Sequence, residues 1–258
     1  MSINVNVKLA LGDLLEGLSS SHVWAMLGWM EIRQRYRRSL LGPFWLTIST
    51  GAMIACIGFL YGRLFGQQLD VYFPYLAVSL VVWQTLAGMM NDSCQAFISA
   101  EGFIKQVKMP LSVHVYRVVW RNLIIFLHNL VIVVVVLLFF PPTPSWHLLM
   151  APLGLIFLAI NGVWFGTVLG LLCARFRDIP QIVASLVQVA FFVTPVMWDA
   201  AMLGKYRWAA DLNPLFHLLE LVRAPLLGRG VAPLSLAAVS TITLAPLSCA
   251  PLRNVIPS

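Results

Sequence analysis

Charge is scarce in this chain. Of its 258 residues only 10% are Asp, Glu, Lys or Arg, against roughly 25% in soluble globular domains. Cysteine is as sparse: Cys56, Cys94, Cys173 and Cys249 are scattered without paired spacing, which indicates neither a disulfide framework nor a zinc motif. No Gly-rich loop ending in Lys-Ser/Thr is present, so the chain carries no Walker-type ATP site. His22, His114, His128, His147 and His217 are far apart, with no HExxH pattern and no nucleophile elbow. A lone His128 inside an apolar run reads as a helix-packing residue rather than a catalyst. The first twenty residues include Asp13 and Glu16 and lack an uninterrupted apolar core. They therefore do not read as a cleavable signal peptide, and the N-terminus is expected to stay in place on the cytoplasmic side.

What is abundant is apolar surface. Hydrophobic residues make up 60% of the chain and the mean hydropathy is +0.85, the composition of an integral membrane protein. Six spans are read at 44–64, 71–90, 122–140, 148–174, 181–198 and 232–250, near the ~20 residues that cross a hydrocarbon core. The last is weakened by Pro233 and Pro246. The formal charge of +7 falls in the gaps between spans, unlike a nucleic-acid-binding face. Twelve Lys and Arg lie before span one, between spans two and three, between four and five, and in the tail. Five (Arg63, Lys205, Arg207, Arg223, Arg229) lie on the other side. The positive-inside rule then puts both termini in the cytoplasm.

The basic residues are concentrated before span one, where Arg33, Arg35, Arg37 and Arg38 precede Gly42-Pro43. The cluster serves as a topology signal, or it holds an anionic lipid headgroup at phosphate depth. Upstream, residues 19–21 offer N-cap hydroxyls. Val23, Met26, Leu27 and Met30 then form one apolar stripe, flanked by Trp24 and Trp29, suited to a helix lying in the membrane interface. Gly42-Pro43 ends that helix and restarts the next with Pro at its first position.

Between spans two and three, Ala96, Ala100, Phe103 and Val107 make a second stripe, and Glu101 and Lys105 form an i,i+4 pair on another face. This predicts an amphipathic helix ended by Pro110. Arg175, Arg177, Asp178 and Pro180 make a short charged turn. Both elements are rigid projections able to dock on a soluble partner, or solvated loops. Phe59, Tyr61, Trp83, Phe191, Phe192 and Trp198 lie in or at the ends of spans one, two and five. They could line a track for a glycan, or form an ordinary aromatic belt. Small residues Gly51, Ala52, Ala55 and Gly58 would allow close helix approach along span one. Residues 199–229 predict a re-entrant or amphipathic hairpin at the outer face.

The order of these motifs resembles the permease subunits of ABC transporters that export polysaccharides (O-antigen, capsule, teichoic acid), with the type-2 ABC exporter fold. The stretches that carry the resemblance are RQRYRRSLLGPFW (33–45), YFPYLAVSLVVW (72–83), FIKQVKMP (103–110), RFRDIPQIV (175–183), FFVTPVMW (191–198) and RWAADLNPLFHLLELVRAPLLG (207–228). Together they run through nearly the whole chain. The resemblance implies a single all-α membrane domain over 1–258, with residues 1–43 as cytoplasmic N-terminus and interface helix. It implies a homodimer with two separate ATP-binding cassette subunits in the bacterial inner membrane. The chain itself would hold no cofactor, since ATP and Mg would sit on the partner. The Glu101 helix and the 175–180 turn would contact that partner. The cargo would be a polysaccharide on undecaprenyl diphosphate, and Arg33–Arg38 would suit its diphosphate. The chain departs from the family at its end, a proline-rich tail with Arg253 as its only charge where relatives carry a basic one. Two other readings are an exporter of a drug or lipid, and a membrane-embedded glycosyl or phospho-transferase. The transferase would need carboxylates and histidines converging on one pocket, and none of the ten acidic residues is central in a clear span.

Overall fold

A computed structural model describes residues 2–37, 44–64, 66–142 and 145–248. Arg38, the Gly42-Pro43 step, Cys249 and the tail with Arg253 lie outside them. The described residues form helices and no strand. In order these are α1 (Ser2–Ser19), α2 (Ser21–Tyr36), α3 (Phe44–Leu64), α4 (Leu69–Cys94), α5 (Glu101–Gln106) and α6 (Ser112–Phe139). A 3-10 turn (Trp146–Met150) leads into α7 (Ala151–Arg175), followed by α8 (Ile179–Val193). A second 3-10 segment (Ala200–Tyr206) then precedes α9 (Trp208–Asp211), α10 (Pro214–Leu226) and α11 (Pro233–Ser248).

Four of these elements are long and apolar enough to cross a membrane: Thr47–Leu64 within α3, then α4, α6 and Trp146–Arg175. Ile179–Val193 and Pro233–Thr243 are apolar but shorter. The helix expected over 181–198 stops early for a covalent reason. Pro195 supplies no backbone N–H, so after the Thr194 N–H bonds to Ala190 O the helical ladder ends.

The central helix is α4. Nearly every side chain from Tyr75 to Leu86 is buried, and α4 packs against α3, α6, α7, α8 and α10. Helix α7 reaches α4 through glycines spaced at four-residue intervals. A Cβ at Gly162 would lie 2.8 Å from Met89 Sδ, at Gly166 2.7 Å from Ser93 Oγ, and at Gly170 2.8 Å from the Phe97 ring. At Gly154 it would overlap the backbone carbonyl of Leu221 on α10. The small-residue face that lets helices approach is thus mainly on α7. On α3, Gly58 meets the Phe73 ring, whereas Ala52 and Ala55 face outward. Because a carbonyl on a packed helix has no rotamer to escape into, Gly154→Ala is expected to cost about 3 kcal/mol. The check is the unfolding midpoint of the purified chain; Gly102→Ala, which has open space around it, is the control.

Polar side chains join the spans elsewhere. Thr50 Oγ1 on α3 and Asn129 Nδ2 on α6 both donate to Gln84 Oε1 on α4, at 3.2 and 3.3 Å. Asn161 Nδ2 on α7 donates to Thr243 Oγ1 on α11 at 2.8 Å. Such bonds contribute about 0.5–1.5 kcal/mol each between helices in a bilayer.

Three expectations are corrected here. The helix expected to start at 19–21 is preceded by a full helix, α1, and the serines finish that helix rather than cap the next. Ser19 Oγ and Ser20 Oγ both donate back to Glu16 O, and Ser20 makes no side-chain cap to α2. The amphipathic helix expected to run to Pro110 is only the six residues of α5, because 95–100 forms turns that bury Ala96 and Ala100. The stripe of Val23, Met26, Leu27 and Met30 is divided. Helix α2 seats Gly28 and Ile32 against α6 and leaves Met26, Trp29 and Met30 outward.

Candidate headgroup and coupling site

The last turn of α2 carries Arg33 and Arg35, and Arg37 follows at its end. All three are exposed. Arg33 and Arg37 stand one helical turn apart and, with Met30 and Gln34, line a cleft of about 280 Å³. Arg35 points elsewhere, as a residue two positions from each must on a helix. Among the described residues none of the three has a carboxylate partner. Two free guanidiniums on one face can each bind a phosphate oxygen pair. Cations at a helix C-terminus are also favoured by its dipole.

What holds α2 in place is a set of charges that the sequence pattern did not single out. Glu31, on the buried side, bonds Arg117 at 3.0 Å and also Arg121, both from the first turns of α6. Arg121 Nη2 reaches Asp92 Oδ2 at the end of α4 at 2.7 Å, and Asn122 Nδ2 donates to the same oxygen at 3.0 Å. Both arginine side chains are 12% exposed. Two carboxylates and two guanidiniums therefore neutralise each other between α2, α4 and α6. In the sequence Arg117 and Arg121 count among the loop charges before span three and stand one helical turn apart. The signal that could have found their role is their i,i+4 spacing, which puts both on one face of a helix starting at Ser112. Tyr116 and Trp120 share a neighbouring face and hold Trp24 of α2, with ring centroids 6.0 and 5.7 Å away.

Helix α1 is pinned to the same place. The Asp13 carboxylate accepts from the backbone N–H groups of Leu111 and Ser112, each at 2.9 Å, and Ser112 Oγ donates to Asp13 O. A carboxylate from a distant helix thus satisfies the unpaired amides at the start of α6.

The two expected docking elements meet at this end of the bundle. Helix α5 projects without a buried residue, and Lys105 Nζ lies 2.7 Å from Glu101 Oε1. The hydrogen bond and charge of Lys105 hold the Glu101 carboxyl below its ordinary range, with a smaller pull from Arg177. Arg175, Arg177 and Asp178 are exposed beside it and Pro180 is half-buried at the start of α8. A lowered folded-state value means the pair stabilises above the unfolded carboxyl pKa and is lost as pH falls through the folded one. Because the pair is open to solvent, Glu101→Gln is expected to lower the melting temperature at neutral pH only slightly. That small difference should vanish in acid, where Glu101 of the wild-type chain is itself protonated and the two melting-temperature profiles meet.

The six aromatic candidates separate into two groups. Trp83 is buried on α4 beneath Phe191, ring centroids 5.7 Å apart, and Phe191 meets Phe192 at 5.3 Å. Trp198 Nε1 donates to Phe192 O at 3.3 Å. These four form one aromatic group at α4 and α8, with Phe192 outermost. Phe59 and Tyr61 are on α3; Phe59 is exposed with the Arg63 guanidinium 5.8 Å from its ring, and Tyr61 is half-buried.

The matched family covers this architecture apart from α1 and α11. A model of the ABC-2 type transporter family fits residues 22–227, from the start of α2 to the end of α10. The chain belongs to the ABC-2 type transporter family. It is similar to the O-antigen export system permease protein RfbA of Myxococcus xanthus, 23% identical over 197 residues, covering 75% of this chain and 76% of that protein. Two proteins of the same description from Klebsiella pneumoniae are 25% and 26% identical over 195 residues, covering 73% of this chain and 74% of each. As an ABC-2 family member the chain is a membrane subunit of a transporter. Its four long apolar helices make it an integral membrane protein, and its role is passage rather than hydrolysis.

Proposed function

We propose that this chain is the channel-forming permease of an ATP-driven exporter that moves an undecaprenyl-diphosphate-linked polysaccharide out of the cytoplasm. Two copies would pair, each with an ATP-binding cassette subunit, and six spans would set both termini on the cytoplasmic side. The observation that carries the reading is the cleft at Arg33 and Arg37, two unpaired guanidiniums at the end of a helix whose outward face, Met26, Trp29 and Met30, is apolar. A diphosphate on a polyprenyl chain has the matching chemistry: two adjacent anionic groups attached to a greasy tail. The names of the relatives support the same cargo class.

The mechanism follows from what the residues do. Arg33 and Arg37 would take the diphosphate, and α2 would pass its position to α6 and α4 through Glu31, Arg117, Arg121 and Asp92. Helix α5 and the 175–180 turn would receive the push of the cassette subunit at the same end. The aromatic group of Trp83, Phe191, Phe192 and Trp198, with Phe59 and Tyr61 from α3, would offer stacking faces to a sliding polymer. Such faces tolerate any sugar sequence because every pyranose has an apolar C–H surface.

The test is a strain lacking this chain. Full-length lipid-linked polymer held on the cytoplasmic face is expected. Truncated polymer would mean that the chain helps to build the glycan, and an unchanged pool would point to a drug or lipid cargo instead.

A further inference from the structure

Beyond the end of α8 the backbone of 194–199 has left the helix. The carbonyls of Pro195, Met197 and Trp198 have no backbone partner, and Thr194, Pro195 and Val196 are buried, where an orphan carbonyl is costly. Side chains from two other helices capture all three carbonyls. Tyr72 OH donates to Met197 O at 2.8 Å, and Tyr75 OH lies 2.7 Å from Trp198 O and 3.0 Å from Pro195 O. Arg223 Nη1 of α10 donates to Pro195 O at 2.6 Å, to Tyr75 OH at 2.7 Å and to Ser79 Oγ at 3.1 Å.

Arg223 had been counted only as an outer-loop charge, but it is 3% exposed. Its Nε and Nη2 both donate to Glu220 Oε2, and its guanidinium lies 4.5 Å from the centroid of the Tyr75 ring. The planar fork is used on both sides: one edge holds the neutralising carboxylate, the other holds α4 and the released backbone. A lysine, with one nitrogen, spans only one of these sets.

We infer that Arg223 is a positioning residue that clamps residues 194–199 to α4 and so fixes the aromatic end of α8. Tyr72, Tyr75 and Ser79 recur at i, i+3 and i+7, one face of α4, and present the clamp's other jaw. Thr194 and Val196 in the clamped segment are fully buried, and Asn213 Nδ2 at the start of α10 donates to Thr194 Oγ1 at 2.9 Å. Removal of the fork takes away one of the two donors on the Pro195 carbonyl and leaves Glu220 without its partner. The turn then loosens, and Trp198 and Phe192 lose their aim. That these aromatics line a channel rests on the function proposed above; the clamp itself does not.

The experiment places a cysteine at Val196, a near volume-conserving change, in the full-length chain carrying Cys56→Ser and Cys249→Ser, since Cys56 is exposed, within its native membranes, opened so that both faces are reached. Labelling by a maleimide carrying a polymer tag is followed by gel shift. With Arg223 present, Val196→Cys is expected to be unreactive. With Arg223→Met it should label at least tenfold faster, and with Arg223→Lys at an intermediate rate. Cys94 and Cys173, buried at the other end of the bundle, must stay unreactive, which separates local release from unfolding. An unchanged rate at Val196→Cys in the Arg223→Met chain overturns the proposal. If that chain fails to accumulate, Tyr72→Phe with Tyr75→Phe removes two carbonyl donors without stranding a charge. It should also raise the rate, and no increase there overturns the clamp equally. Because no cargo enters the assay, failure of the export reading would leave this result standing.

Discussion

Reversal of both cleft arginines, Arg33→Glu with Arg37→Glu, is expected to abolish delivery of polymer to the cell surface while the chain remains in the membrane at its normal level. The two guanidiniums share one exposed face and have no carboxylate among the described residues, so their loss removes no internal contact. Two charge-assisted hydrogen bonds to a diphosphate are worth about 3 kcal/mol or more, and hence at least a roughly 100-fold loss of binding. Repulsion between the introduced carboxylates and the diphosphate adds to this. Arg35→Glu changes the net charge by the same step per residue but lies off the cleft, and should reduce surface polymer only a few-fold. The measurement is surface polysaccharide against total lipid-linked polymer in the complemented deletion strain. Equal effects of Arg35→Glu and Arg33→Glu would reduce the cluster to a topology signal.

Loss of Glu31 should be nearly as severe, by a different route. Glu31→Gln leaves Arg117 without a carboxylate and Arg121 with Asp92 alone, in a site where both side chains are 12% exposed. Stranding a mostly buried charge costs about 3–5 kcal/mol when the site is fully closed; the partial exposure of Glu31 and Asp92 places this nearer about 2–3 kcal/mol. The detergent-solubilised chain is expected to melt several degrees lower, and α2 should become sensitive to protease near Arg33. Glu31→Arg with Arg121→Glu reverses the pair and should recover part of the loss. Glu31→Arg alone, with three cations and one carboxylate together, should not accumulate. A melting temperature for Glu31→Gln equal to wild type would show that Trp24, Gly28 and Ile32 hold α2 without the charges.

The two predictions divide the end of the bundle between a face that binds and a face that holds. Glu31 and Arg33 are two residues apart on α2, and the helix turns one inward and the other outward. The Asp13 cap adds a third tie, since α1 is fixed to the amides that start α6. A displacement of α5, six residues before α6 begins, is therefore expected to reach α2 through the arginines of α6 rather than through the connecting chain.

The sequence by itself determined the membrane class, the runs that become α3, α4, α6 and α7, and the family, because these depend on composition and on the order of local motifs. It also determined the basic turn of α2 and the Glu101–Lys105 pair, since an i,i+4 relation on a helix is local geometry. Only the tertiary structure decided which charges are structural. Arg117, Arg121 and Arg223 look the same in sequence as Arg33 or Arg207. Their roles come from Glu31, which lies 86 residues before Arg117, and from Tyr75, which lies 148 before Arg223. The tertiary structure also placed close-approach glycines mainly on α7, with Gly58 and Gly62 on α3, because a glycine matters only where a neighbouring element comes near. The early end of α8 was written in Pro195. The capture of the freed carbonyls by Tyr72, Tyr75 and Arg223 was not, because it needs three helices at once.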